Sequence, residues 1–434
     1  MTKKILLILY ILLITIVESN AQQYWINKGR IANQNLYNCS FTDTLNGWAS
    51  GDSGMIVHTS DGGLHWIQQN SKIRNFIQSI NFISNRCGWA LAWDYGTIFY
   101  GTYVLRTTDG GINWDTTSFP VKDVFLRNIL FVDSLTGYVG GGPNTLAKST
   151  DGGVTWIDCA VDTSTVASRF PIWKIRFSEN KNFGIAGGGV MDIAGVIWKT
   201  TNQGAYWNSK IVSSEPINDV KIFDSLNILG LAGDFEFGSS LIKTSNGGEN
   251  WIYKNLGVFG IPKSLSFRDI NEGWAPMGYS MNFLTTFNGG QDWVVIDTPD
   301  SLKIFDIVFL NNKCGYGVGV DGSFIKYNCA VINIGNISSV PFRANLKQNY
   351  PNPFNPVTKI EYSIKTISDV EISVYNMLGQ KLNTLFKGVK PEGLYAINFD
   401  GNNIPSGIYF YCLKTKDLKT GITDIKTKKM ILIK

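Results

Sequence analysis

The chain has 434 residues, a net charge of +5 and 13% aromatic residues, with 13 Trp and 45 Gly among them. Residues 22–335 carry 23 basic and 26 acidic side chains, whereas residues 336–434 carry 14 and 7. A slightly acidic body lacks the basic footprint of a nucleic-acid binder, and the aromatic content favours an all-β fold.

Residues 1–21 read as a signal peptide: Lys3 and Lys4, an apolar run from Ile5 to Val17, then the small-residue site Ser19-Asn20-Ala21. The run is too short to span a bilayer, and no later stretch qualifies, so the expectation is an exported protein that is not an integral membrane protein.

From residue 22 onward one pattern keeps returning, S/T-x-D/N-x-G-x-x-W. Its six copies place Asp61, Asp109, Asp151, Asn202, Asn246 and Asn288 five residues before Trp66, Trp114, Trp156, Trp207, Trp251 and Trp293. Intervals of 42 to 51 residues match a four-stranded propeller blade. A second signal keeps step: an apolar strand, usually ending in Phe, a polar turn, then a glycine at 47, 88, 137, 184, 230, 273 or 315. That makes seven units and six boxes. The last unit stops after Ile325-Lys326-Tyr327, while Tyr24-Trp25-Ile26 stands alone at the start. The first strand is therefore expected to complete the last blade, which gives a seven-bladed β-propeller over residues 22–330 with no open sheet edge.

Within each box, Ser or Thr and Asp supply short acceptors for turn N–H groups, Gly supplies a positive φ, and Trp packs beneath the hairpin. Three copies use Asn, which keeps the acceptor and drops the charge, so the box reads as scaffold rather than catalytic or metal-binding. On these residues the repeats resemble Asp-boxes, or bacterial neuraminidase (BNR) repeats. The full unit most resembles the photosystem II assembly-factor propellers, and the resemblance spans residues 22 to about 330.

Strand alternation puts the boxes on one face and the turns after each second strand on the other. Three insertions fall on that other face: 21 residues from glycine to box in the second unit, 18 in the fourth, and 33 from the third box to the next glycine. They bring Trp93, Asp94, Tyr95, Tyr100, Tyr103, Arg169 and Trp173. Ten residues before their glycines stand Arg127, Lys174 and Lys263, candidates for the mouth of the central channel. Loops on a rigid scaffold are where binding residues gather, so these ten form the candidate ligand-binding set for a glycan or protein partner. Basic residues that precede the boxes, such as Lys148 and Lys199, are expected to lie over aromatics with their charges in water.

The two histidines, His58 and His65, both adjoin a box, which leaves no free base for a Ser-His-Asp or Cys-His site. Seven units also differ from the six expected of a sialidase, and Arg169-Phe170-Pro171 is not its Arg-Ile-Pro order. A glycosidase pair among Asp94, Asp123, Asp162 and Asp192 has nothing in its spacing to recommend it. No catalytic residue, metal site or cofactor is therefore expected. The six cysteines lack zinc spacing. They either pair, Cys314 with Cys329 first, or serve as buried apolar residues.

Residues 331–344 read as a polar linker. Beyond it, alternating runs broken by Gly and Pro predict about seven strands in a small Ig-like β-sandwich. Asn349, Pro351, Asn352, Pro353, Phe354, Asn355 and Pro356, then Tyr375, Gly379, Ser406, Gly407 and Tyr409, follow the order of the type A sorting domain of the type IX secretion system, and residues 345–434 resemble it throughout. That resemblance implies passage through the periplasm, engagement of the secretion machinery, and release or display at the outer surface.

The sequence thus predicts a secreted or surface-displayed propeller that binds a partner. Its rivals are an extracellular glycoside hydrolase or lyase, and an assembly-factor-like chaperone.

Overall fold

The structure, a computed structural model, describes residues 24–96, 100–328, 344–364, 366–377, 379–418, 421 and 423–434. The signal-peptide reading, Cys329 and nearly all of the linker lie outside them. The fold is all-β, with a few short 3₁₀ turns between strands.

Up to residue 328 the strands assemble in chain order into antiparallel sheets of four, to which the fourth adds a short parallel strand, Ala160–Val161, beside Tyr206 and Trp207. The first is Leu36–Phe41, Gly47–Gly51, Ile56–Thr59 and Ile67–Gln69. The inner strands of the next six begin at Phe76, Phe125, Ile172, Ile217, Ser266 and Ile304. The seventh sheet takes its outer strand from the other end of the chain: Trp25–Arg30 pairs with Ser323–Tyr327, with Trp25 opposite Tyr327 and Ile26 opposite Lys326. Its fourth strand thus comes from the two fragments that the broken repeat singled out. Trp25 is fully buried there among Trp274, Phe283, Phe309 and Tyr327.

The repeated glycine has a steric cause. A Cβ on Gly88 would lie 2.4 Å from the Phe82 ring, and one on Gly47 would lie 2.1 Å from the Phe41 ring, because each strand-ending Phe lies flat across the glycine opposite it. The fifth sheet corrects the sequence register. There the strand ends in Ile222, and the residue opposite it is Ile228 rather than Gly230. With no ring to accommodate, the position needs no glycine.

Successive sheets are joined by stacked aromatics. Trp48 of the first sheet lies on Phe82 of the second at 3.7 Å and 6°, and Trp89 lies on Phe131 of the third at 3.6 Å and 4°. Box tryptophans close the same seams edge-on: Trp114 against Phe82, Trp156 against Phe131, and Trp207 against Phe177.

Residues 344–434 form two sheets around one core. Ala344–Leu346, Val357–Ile364 and Gly393–Asp400 face Ser368–Tyr375, Lys381–Lys390, Gly407–Asp417 and Thr423–Leu432. The last strand also reaches the preceding body: Thr423 pairs with Val295 on the outer strand of the sixth sheet, and Lys429 lies 3.8 Å from Glu236. Cys39, Cys87, Cys159, Cys314 and Cys412 are free thiols. Burial pushes Cys159 up to about 12 and Cys412 to about 11, which fits the apolar role.

Candidate functional site

The boxes are built alike whether they carry Asp or Asn. Thr107 Oγ1 donates to Asp109 Oδ1 at 2.8 Å and accepts from Gly111 N at 2.9 Å, while Asp109 Oδ1 accepts from Asn113 N at 2.9 Å. Asn246 repeats the set, from Thr244 Oγ1 at 2.8 Å and Asn250 N at 3.0 Å. Gly110 and Gly111 sit at φ +77° and +89°. Hydrogen bonds, the Asn113 backbone N–H first, hold the exposed Asp109 carboxyl down to about 2. Asp109→Asn keeps the acceptor oxygen, and is expected to move Tm by no more than about 2 °C in a thermal melt at pH 7.

Each box is also gripped by the preceding sheet. Trp48 Nε1 donates to Gly110 O at 3.1 Å, Trp89 Nε1 to Gly152 O at 2.8 Å, and Tyr138 OH to Gln203 O at 2.7 Å. The basic residues before the boxes join in. Lys148 Nζ reaches Gln203 O at 2.9 Å, and Lys199 Nζ reaches Gly247 O at 3.0 Å. Lys148 lies over Tyr138 as expected, but its charge is spent on a neighbouring carbonyl rather than left in water.

Opposite the boxes, the inner strands share a second irregularity. Where the pairing of inner and second strands skips a position, one residue bulges: Tyr37, Gln78, Arg127, Trp173, Asn218 and Phe305. Each stands four residues before the end of its strand, and Lys263 holds the same place before Phe267. The equivalent of Arg127 in the fourth sheet is therefore Trp173 rather than Lys174, because the following turn is one residue longer than in the other sheets.

Lys174 belongs to the next layer down, with Asn38, Ser79, Asn128, Asp219, Ser264 and Asp306. This layer is polar throughout, and its Asn38, Ser79, Asn128, Lys174 and Asp306 line a cavity of about 370 Å³. Much of it is committed to joining sheets. Ile80 N donates to Asn38 Oδ1 at 2.8 Å, Ile175 N to Asn128 Oδ1 at 2.9 Å, and Cys39 N to Asp306 Oδ2 at 2.9 Å. Arg176 makes two bonds to Asp219, at 3.1 and 2.8 Å.

The bulge layer gathers the aromatics. Tyr37 packs against Phe76 and Phe305, Phe76 against Trp93, and Trp93 and Tyr95 against Phe125. The Arg127 guanidinium lies 4.9 Å from the Trp173 ring centre and 5.7 Å from that of Trp93. Burial holds Arg127 below its ordinary value; burial and then the Arg127 charge do the same to Lys263. Tyr95 and Tyr100 are the exposed members, at 61% and 46%.

Four members of the sequence set stand apart from this cluster: Lys174 in the layer below, and Asp94, Tyr103 and Arg169. Asp94 is occupied by Asn75 Nδ2 at 3.1 Å, Gly96 N at 3.0 Å and the Tyr103 hydroxyl, which faces it. Arg169 is exposed on the turn Val166–Arg169 and makes none of the ring contacts. Sequence reading missed Tyr37, Phe76, Phe125 and Phe305, and also Tyr279, whose ring stands edge-on to Phe305 at 5.1 Å. Counting back from each strand-ending Phe, instead of from the glycine, would have found Tyr37 and Phe305. It also missed the buried acids of the same face: Glu215 accepts from Tyr253 OH at 2.7 Å, and burial, then Glu215 and Asp192, raise Asp234. Among the described residues no three His, Cys, Asp or Glu are grouped as a metal site, and no helix is long and apolar enough to cross a membrane.

The residues of the C-terminal motif have a structural role. Asn349 is buried and donates to Thr358 Oγ1 at 2.9 Å and Pro351 O at 3.0 Å, Phe354 enters the core, and Asn352 Oδ1 accepts from Ile431 N at 2.8 Å. Pro356 O accepts from Gly401 N at 2.8 Å, Ser406 Oγ from Lys434 N at 2.9 Å, and Gly379 turns at φ +75°. Tyr409 is buried, its hydroxyl on Pro405 O at 2.7 Å. Pro351, Pro353 and Asn355 are exposed, and Gly407 opens its strand. The motif thereby ties the entry of the sandwich to its last strand.

Among known proteins, a photosystem II stability/assembly factor, HCF136, of Oryza sativa subsp. japonica is 24% identical over 298 residues, 65% of this chain and 64% of that protein. The chain thus spans a little under two thirds of that relative's length. Of the solved structures, YCF48 bound to D1 peptide has a TM-score of 0.54 at 18% identity, covering 70% of this chain and 96% of its own. A GH74 xyloglucanase from Xanthomonas campestris has a TM-score of 0.55 at 11% identity, covering 79% and 60%. Such likenesses establish a propeller-like all-β fold and leave activity open. Residues 348–432 match the family described as the secretion system C-terminal sorting domain, so the C-terminal module is a sorting domain that marks the chain for secretion or the cell surface.

Proposed function

We propose that the protein is an exported seven-bladed propeller, over residues 22–330, acting as a non-catalytic binding module whose ligand is taken at the bulge-layer mouth. Residues 1–21 serve as its signal peptide, the boxes are Asp-boxes, residues 331–344 are a linker, and the Ig-like sandwich of residues 345–434 delivers it through the type IX machinery. What supports seven blades is that inner strands from seven sheets line one cavity, and that the first strand completes the last sheet.

The observation that carries the binding reading is the convergence of Trp93, Tyr95, Tyr100, Arg127 and Trp173 from three sheets on one face. Rigid strands hold the aromatics in place, so little ordering cost falls on binding. A peptide-bound neighbour of similar fold is consistent with a peptide partner and with an assembly-factor-like role. The hydrolase alternative has the xyloglucanase neighbour behind it and the buried acids Glu215 and Asp234 as its nearest candidates.

The test is an array of polysaccharides and peptides probed with the full-length mature chain, and with Trp93→Ala, Tyr95→Ala and Trp173→Ala variants. Specific binding, weakened at least tenfold in folded variants and without product, is expected. Turnover of a bound glycan favours the hydrolase, and binding insensitive to all three changes moves the site off this face.

A further inference from the structure

We infer that the mouth binds a peptide carboxylate, seated on the edge of the Arg127 guanidinium between Trp93 and Trp173; this rests on the mouth being the binding face. Arg127 is the bulged residue of its strand, and both indoles lie within 6 Å of its guanidinium carbon. Trp93 is itself fixed, its Nε1 donating to Leu126 O at 2.6 Å. Among the described residues no hydrogen bond or ion pair is made by Arg127. Asp94, next to Trp93 in the chain, is itself engaged by Asn75, Gly96 and Tyr103.

A half-buried cation without a counter-ion is costly unless something supplies one. Two indoles lie beside the guanidinium, and its planar fork of N–H donors suits a carboxylate taken through two parallel bonds. Lys263 brings a second cation close enough to feel the charge of Arg127.

The same contacts favour a peptide over a sugar. A sugar ring needs a free aromatic face, but Arg127 lies against both Trp93 and Trp173, and Tyr95 is stacked on Phe125 at 5.0 Å and 20°. Tyr95 and Tyr100 are the exposed rings here, and their hydroxyls together with the Arg127 N–H donors suit an acidic side chain or chain terminus and the backbone beside it.

The test measures binding of the full-length mature chain to a pool of decapeptides that each carry one Glu, to the same pool with Gln, and to oligogalacturonate. The Glu pool is expected to bind at least tenfold more tightly than the Gln pool. Arg127→Gln should remove that preference with Tm unchanged, and Lys263→Gln should weaken it, with a thermal melt of the variant confirming that it is folded. Equal binding of the two peptide pools, or a preference that survives both substitutions, overturns the carboxylate seat. Arg127-dependent binding of oligogalacturonate alone overturns the peptide assignment while the mouth remains the site. A mouth that binds nothing in any arm, with the array also blank, overturns both readings together.

Discussion

Replacing Trp114 with Ala is expected to destabilise the protein by about 3–5 kcal/mol, the cost of emptying a buried aromatic site. Trp114 is 1% exposed and stands edge-on to Phe82 at 5.9 Å, while Phe82 is stacked on Trp48 of the preceding sheet. The cavity would open at the seam between two sheets, where Ile56, Ile80 and Leu105 complete the same cluster. Neighbouring side chains cannot collapse into it, because the sheet backbones fix their separation. Asp109→Asn in the same box is the matched control, since it alters a charge and leaves the packing alone. Denaturant titration of the two variants should separate them clearly; a Trp114→Ala midpoint equal to that of Asp109→Asn would refute the packing account of the box.

Replacing Asp219 with Ala is the second large effect, expected at about 2–4 kcal/mol. This carboxylate is 1% exposed and accepts four hydrogen bonds: two from Arg176, one from Val220 N at 2.8 Å and one from Leu265 N at 2.9 Å. Leu265 N lies on the next sheet, so the variant would strand a buried N–H there as well as release Arg176. The Arg176 side chain is 38% exposed and can turn to channel water, which keeps the cost below that of breaking a fully buried pair. Burial opposes ionisation of Asp219, but the Arg176 and Lys174 charges and the hydrogen bonds outweigh it and hold the carboxyl below its ordinary 3.8. A depressed carboxyl binds fewer protons folded than unfolded. Its contribution is therefore complete above about pH 4 and is lost as pH falls through the folded value. Stability curves between pH 7 and pH 3 should converge for wild type and Asp219→Ala, and a constant gap across that range would show that the ionised form contributes nothing.

The repeat is legible in the sequence because its causes are local. A turn that needs two positive-φ residues, the second always glycine, an acceptor two residues after a Ser or Thr, and a ring to cover it leave a fixed spacing, whatever surrounds them. Even the broken last unit can be matched to Tyr24-Trp25-Ile26 by what each fragment lacks. Register across a strand pair is a weaker signal. Gly230 looks like the ring-facing position although Ile228 fills it, since glycine alone does not reveal whether a ring lies opposite. Counting from the glycine puts Lys174 one layer too high, because a single extra residue in a turn shifts every count made through it.

The candidate site divides along the same line. Aromatic residues in long turns announce Trp93, Tyr95, Tyr100 and Trp173, and a basic residue near the start of an inner strand announces Arg127. Tyr37, Phe76, Phe125 and Phe305 carry no such sign, because strand residues of this kind are as common in a core as at a mouth. Spacing and motif alone specify the all-β repeat, the pairing of its two ends and the sorting module, because each leaves a recurring motif or an incomplete copy of one in the chain. Which aromatics share a face, that Arg127 lies beside two indoles and pairs with no acid among the described residues, and that Asp219 bridges sheets emerge only in the folded chain. Those are contacts between residues tens of positions apart, and they arise from the bulge, the turn length and the stacking of neighbouring sheets together.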